Sequence, residues 1–376
     1  MVLQNKYYRT IWLNEDSSGD VCVLDQRELP FSIKILTLRN VEDAASAIEN
    51  MAVRGAPQIG ATAAFAFYLA TRDMSEDVSF SDFISSVSNR LAITRPTAVD
   101  LFYAIELQKR ALTALVDQPF ADFDSLKENS ISVALMTAQK WCDDSIKECE
   151  AIGQAGFQVI KKIYAKTGKP VNILTHCNAG WLACIDIGTA TAPIYAAQKE
   201  GIPVHVWVDE TRPRNQGSRL TAFELQEQKV PFTLITDNAG GHLMQHGRVD
   251  MVIVGTDRTT RNGDVANKIG TYLKALAAFD NQIPFYVGLP LSSLDANIAD
   301  GVKEIPIEER SPDEVHWIEG WNGTKIEKVR ISPFDAPAAN FGFDVTPARL
   351  ITGGLITAKG ICPANEKDIS QFFGLW

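Results

Sequence analysis

An α/β architecture is expected for this chain: a small N-terminal β plus helical domain, followed by a Rossmann-like domain built on a doubly wound parallel sheet. Three observations carry that expectation. After Pro170, short apolar β-branched runs recur and alternate with helix-compatible stretches, the pattern of strands covered on both faces. Residues 41–115 place apolar side chains at helical spacing. The first thirty residues are aromatic and β-branched around a turn. At 376 residues, with 45% hydrophobic and 22% charged side chains, the chain is long and apolar enough for two buried cores.

The elements follow in order. YYRTIWL (7–13) and VCVLD (21–25) read as strands, and Asp16–Asp20 between them is turn chemistry. VEDAASAIENM, the Ala-rich stretch Ile59–Thr71 and the stretch Ala98–Leu115 read as helices. The polar stretch 116–130 contains a proline and marks the expected boundary, giving domains of 1–128 and 129–376. A long helix is expected from Ile131 to Tyr164. Five strands should follow: VNILTHC (171–177), VHVWVDE (204–210), FTLITDN (232–238), MVIVGTD (251–257) and FYVGLP (285–290).

Composition excludes several classes of function. With 46 acidic and 36 basic residues the net charge is −10, a poor starting point for general nucleic-acid binding. No apolar run approaches the length needed to span a membrane, and the N-terminal MVLQNKYYRT lacks a signal-peptide pattern. Six cysteines in so long a chain do not form a disulfide framework. Cys142 and Cys149 share a helical face about 10 Å apart along the axis, too far to bridge. A reduced, cytoplasmic protein is expected.

In doubly wound sheets the ligand lies beyond the carboxyl ends of the strands. Those ends here carry His176–Asn178, Asp209–Glu210, Asp237–Asn238 and Asp257. No G-x-G-x-x-G follows a strand and no P-loop pattern occurs, so no nucleotide cofactor is expected. His242 and His246 are four apart but lack a third ligand, so no metal is expected. Metal-free acid–base chemistry remains, with Cys177 and Asp257 as the pair. Backbone N–H groups of a helix start after Cys177 would lower its pKa. The apolar run before Asp257 would raise its carboxyl and keep it protonated, as a general acid requires. A small buried hydrophobe is the plainer use of a cysteine, and a cap is the plainer use of an aspartate.

Three loops suit an anion. Arg54-Gly55-Ala56-Pro57 precedes the Ala-rich helix, and Arg95-Pro96-Thr97 opens the next. Arg261–Gly270 introduces a further helix and carries Lys268. The arginine-rich loop 211–219 adds positive charge, so an anionic small molecule is the expected partner.

With these residues in view, the sequence resembles the methylthioribose-1-phosphate isomerase family. The matching blocks are MAVRGAPQIG, RPTAVDLF, ILTHCNAG, DETRPRNQGSRLTAFEL, DNAGGHLM, VGTDRTTRNGDVANKIGTY, PFYVGLP and FDVTPARLITG, in the family order over about residues 51 to 357. The resemblance implies an aldose–ketose isomerisation of a sugar phosphate in methionine salvage, without metal or cofactor, by a homodimer. It implies Cys177 and Asp257 as the catalytic pair, and Arg54, Gly55, Ala56, Arg95, Gln216, Asn267 and Lys268 as substrate contacts. Gln216 and Asn267 come from the resemblance alone. Isomerisation of 5-deoxyribose 1-phosphate or ribose 1,5-bisphosphate, and a non-catalytic regulatory subunit like the initiation-factor relatives, are the competing readings. Trp181 is expected to help line an apolar pocket.

Overall fold

The computed structural model describes residues 1–14, 18–95, 98–116 and 118–374. After a short antiparallel pair, Val2–Leu3 with Lys6–Tyr7, comes a three-stranded antiparallel sheet: β1 (Ile11–Leu13), β2 (Val21–Leu24) and β3 (Ile35–Leu38), with Ile11 opposite Val23 and Val21 opposite Leu38. Four helices follow: α1 (Val41–Glu49), α2 (Ala56–Arg72), α3 (Phe80–Ala92) and α4 (Val99–Thr113). The Asn40 and Ser79 side chains cap α1 and α3 by accepting from the amides of Asp43 and Asp82. Helix α2 is buried from Pro57 to Thr71, and its small residues let neighbouring helices come close. At Gly60 a Cβ would meet the Trp141 ring at 2.4 Å.

Helix α5 runs from Phe123 to Thr167, 45 residues, roughly 65 Å at 1.5 Å per residue. It starts eight residues before the expected Ile131, because the Asp122 side chain accepts from the Ser125 amide at 2.8 Å and caps it there. The expected division at 128/129 therefore falls inside a continuous helix rather than in a linker. The first half of α5 packs Ala134, Ala138, Trp141 and Cys142 into the core of the N-terminal part. Its second half packs Ile152, Phe157 and Ile160 against the parallel sheet. One helix thus belongs to both cores.

The parallel sheet is built from β4 (Val171–Thr175), α6 (Ala192–Lys199), β5 (Val204–Asp209), α7 (Ala222–Glu227), β6 (Phe232–Ile235), α8 (Ala239–Gln245) and β7 (Met251–Val254). It continues after a short hairpin, β8 (Arg258–Thr260) and β9 (Val265–Lys268), with α9 (Thr271–Asp280) and β10 (Phe285–Gly288). Strand β11 (Phe343–Thr346) extends the hairpin sheet, and β12 (Gly354–Thr357) and β13 (Gly360–Cys362) finish the large one. Its order is β13-β12-β10-β7-β4-β5-β6, all parallel except the edge strand β13. The five expected strands are present, each ending one to three residues early where the chain leaves the sheet. The chain goes one way from β4 through β5 to β6, then returns to place β7 on the other side of β4. This is the topological switch point, where the diverging connections open a crevice.

Candidate active site

Cys177 and Asp257 follow the two strands that flank the switch point. Cys177 lies two residues beyond β4 with φ 66°, a left-handed backbone that costs a non-glycine residue about 1 kcal/mol or more. Two hydrogen bonds hold it there: its amide donates to Thr211 Oγ1 at 2.8 Å, and its carbonyl accepts from Thr221 Oγ1 at 2.6 Å. Asp257 lies three residues beyond β7, with its amide donating to the Ala266 carbonyl of β9 at 3.0 Å. Burial raises the Asp257 carboxyl, against the pull of Lys268, Arg95 and Arg54. A shift in that direction favours the protonated form.

Burial also pushes the Cys177 thiol up, with Arg54 and Lys268 pulling the other way. This reverses the expected direction. The residues after Cys177 form one 3₁₀ turn, Trp181–Ala183, and the next α-helix begins at Ala192. The helix start expected directly after Cys177 is therefore missing, and desolvation dominates.

The cations come from separate elements. Arg54 donates to Asn178 Oδ1 and to the Asn178 carbonyl, both at 2.7 Å, so it grips the residue next to Cys177. Asn178 is itself held by Glu224 at 2.9 Å. Burial raises the Glu224 carboxyl to about 7, against hydrogen bonds from Asn178, Leu182, Tyr195 and Trp181. Gly55 has φ 91°, and a Cβ there would meet the Ala183 carbonyl at 2.4 Å, so only glycine fits between the arginine and α2. Ala56 opens that helix. Arg95 reaches Glu308 at 3.5 Å. Pro96 and Thr97 of the same expected loop lie outside the described residues. Lys268 stands 4.6 Å over the Phe343 ring. It lies on β9 rather than in a pre-helical loop, and α9 starts beyond Gly270. Asn267, also on β9, donates to Thr271 Oγ1 at 3.0 Å. Gln216 Oε1 is buried without a partner among the described residues.

All nine expected site residues line one pocket. Met51, Asn178, Cys184, Thr256, Pro290 and Phe343 are among the other residues of its wall, and the sequence did not assign them to the site. Asn178 was within reach, because it adjoins Cys177 at a strand end; Phe343 arrives from a distant strand with no local signal. An adjoining pocket of about 520 Å³ shares Gly55, Ala56, Arg95, Asp257 and Phe343, and adds Ile59, Ala98, Arg258, Ala266, Ile305 and Pro306. The site therefore has a cationic half and a more apolar annex.

Other expectations change. Trp181 is fully buried away from this pocket, in a cluster with Leu3, Leu24, Leu29 and Leu220. The arginines of 211–219 do not line it. Arg214 pairs with Glu314 at 2.7 Å, Arg219 with Glu319 at 3.3 Å, and Arg212 donates to the carbonyls of Pro213 and Val315. His246 Nδ1 bonds the His242 carbonyl at 2.8 Å across the end of α8. Among the described residues, the one group with metal-ligand spacing is His176, Asp209 and Asp237. The Lys274 ammonium lies 3.2 Å from the Asp209 carboxylate of this group.

Residues 52–364 match the Initiation factor 2 subunit family. Methylthioribose-1-phosphate isomerase of Desulfatibacillum aliphaticivorans is 52% identical over 99% of both chains, and that of Sinorhizobium medicae is 54% identical over 99% of both. The chain belongs to the methylthioribose-1-phosphate isomerase family. The crystal structure of 5-methylthioribose 1-phosphate isomerase from Pyrococcus horikoshii superposes with a TM-score of 0.82 at 38% identity, over 98% of this chain and 96% of that one. Translation initiation factor eIF-2B, subunit delta, from A. fulgidus gives 0.79 at 34% identity, over 98% of this chain and all of that one. The α/β fold class and the family resemblance read from the sequence both hold.

Proposed function

We propose that this chain isomerises 5-methylthioribose 1-phosphate to 5-methylthioribulose 1-phosphate, an aldose–ketose step of methionine salvage. The observation that carries the reading is the meeting of Cys177, Asp257 and three cations in one pocket at the switch point. Carbon 1 of the substrate is blocked as a phosphate ester, so the ring must open before hydrogen can move. Arg54, Arg95 and Lys268 hold the phosphate, helped by the amides at the start of α2. Gln216 and Asn267 take sugar hydroxyls, and the apolar annex takes the methylthio group. Protonated Asp257 gives its proton to the ring oxygen as the bond to carbon 1 breaks. One hydrogen then moves from carbon 2 to carbon 1, and the carbon-2 hydroxyl passes its proton to the Asp257 carboxylate as the ketone forms, which restores the acid. Cys177 takes part either as a base for the carbon-2 proton or as a thiol flanking a direct hydride shift. A homodimer and a cytoplasmic location belong to the same reading, on the family resemblance. Sedimentation velocity checks the first.

The test is turnover of synthetic 5-methylthioribose 1-phosphate by the purified chain, without added metal or nucleotide. Ribose 1,5-bisphosphate and 5-deoxyribose 1-phosphate are run in parallel. The methylthio sugar should be turned over fastest, and Cys177→Ser should lose about a thousandfold or more. Faster turnover of the bisphosphate overturns the substrate assignment. Deuterium at carbon 1 after reaction in heavy water selects the proton-transfer route.

A further inference from the structure

Behind the pocket lies a buried polar network that the chemistry above does not use. The pairing of Thr175 with Val208 puts His176 and Asp209 side by side at the carboxyl edge of β4 and β5. His176 Nδ1 lies 2.8 Å from Asp209 Oδ2, and Nε2 lies 2.8 Å from the Ile269 carbonyl. The ring is 1% exposed, and both of its nitrogens face oxygen acceptors. Lys274 on α9 meets the same Asp209 oxygen at 3.2 Å and donates to the Asp237 carbonyl. The Asp237 carboxylate accepts from the amides of Thr211 and Arg212, both at 2.7 Å. Thr211 Oγ1 accepts from Cys177 N and donates to the Asp209 carbonyl at 3.0 Å.

The connectivity is specific. His176 immediately precedes Cys177, and Ile269 immediately follows Lys268. One imidazole therefore joins the segment that carries the thiol to the segment that carries the ammonium. Room for it comes from Gly270, where φ is 101° and a Cβ would come within 3.0 Å of the ring. The geometry points to His176 as a positioning residue: oriented by Asp209, it ties the backbone beside Lys268 to the backbone beside Cys177 and sets the spacing of the two groups on the substrate. This rests on the roles of Cys177 and Lys268 proposed above. A reacting group displaced by about 1 Å costs on the order of a hundredfold in rate, so a tether of this kind acts on turnover more than on affinity.

The test compares His176→Gln, Asp209→Asn and the double variant in the full chain, with Cys177→Ser alongside. His176→Gln should lower kcat about 30-fold or more with KM within about threefold. Alkylation of Cys177 by iodoacetamide should change rate by about fivefold or more in the folded protein. The double variant should lose little beyond either single one, because the two residues act as one unit. If His176→Gln does not fold, Lys274→Gln loosens Asp209 from its other side and should lower kcat about fivefold at unchanged KM. A kcat within about threefold of the parent in the folded variant, or an unchanged alkylation rate, overturns the inference. Normal turnover by Cys177→Ser would instead overturn the site reading on which it rests. Normal turnover by His176→Gln beside an inactive Cys177→Ser overturns the positioning role alone.

Discussion

Two groups of cations in this molecule face opposite circumstances. Arg214 and Arg310 flank Glu314 at 2.7 and 2.9 Å, and Arg310 also meets Glu308 at 2.7 Å. Burial would raise the Glu314 carboxyl, but the two guanidiniums overcome it and bring it down to about 2. Arg54, Arg95 and Lys268 are also buried, with far less opposing charge. Arg54 holds a neutral asparagine, Lys268 stands over a phenyl ring, and Arg95 has Glu308 at 3.5 Å. Burial lowers the Lys268 ammonium, with Cys177 and Asp257 resisting, and it lowers Arg95 against Glu308. The matched group braces loops. The unmatched group is left for a ligand, because desolvated positive charge is relieved when a phosphate enters.

Removing an unmatched cation should hurt activity and spare the fold. Lys268→Met is expected to lower kcat/KM about a thousandfold, roughly 4 kcal/mol, while the unliganded protein melts no lower than the parent. Steady-state kinetics and thermal melting check both halves. A loss below about tenfold would erase the distinction between the two groups.

Asp100 is an unmatched acid on the same principle. It is fully buried, Oδ2 meets Ser292 Oγ at 3.1 Å, and Oδ1 has no partner among the described residues. Burial raises its carboxyl to about 7. A carboxyl raised on folding contributes stability below the ordinary carboxylate range, and that stability is lost as pH climbs toward 7. Asp100→Asn should therefore gain on the parent between about pH 4 and 7, and be more stable by roughly 1–3 kcal/mol at pH 8. Urea unfolding at several pH values measures it. A gain that shrinks with rising pH would contradict the assignment.

The smallest effect belongs to the matched group. Arg214→Gln should leave kcat and KM within about threefold and cost at most about 1 kcal/mol, because Arg310 still faces Glu314. A large rise in KM would move Arg214 into the site.

The two groups cannot be told apart in the sequence. Arg54 and Lys268 were singled out by the loops around them, and the same reasoning wrongly included the 211–219 arginines. Their partners, Glu314 and Glu319, lie a hundred residues further on. Trp181 misled in the same way: its place near a strand end suggested the pocket, and its packing against Leu3 and Leu24 put it elsewhere. The polar stretch before Ile131 suggested a boundary, yet Asp122 caps a helix through it.

Local pattern was sufficient for the five central strands of the large sheet, for α1, α2, α4 and most of α5, and for the reactive residues at strand exits, since periodicity and turn chemistry act over a few neighbouring residues. It also placed Cys177 and Asp257 at strand ends, and the return of the chain across β4 then made those two ends adjacent. Long-range packing settled the rest. The direction of the Cys177 shift, the tether through His176 and the grip of Arg54 on Asn178 across 124 residues all depend on which groups are desolvated together. Desolvation is a property of the assembled surroundings, and no short window of sequence contains them.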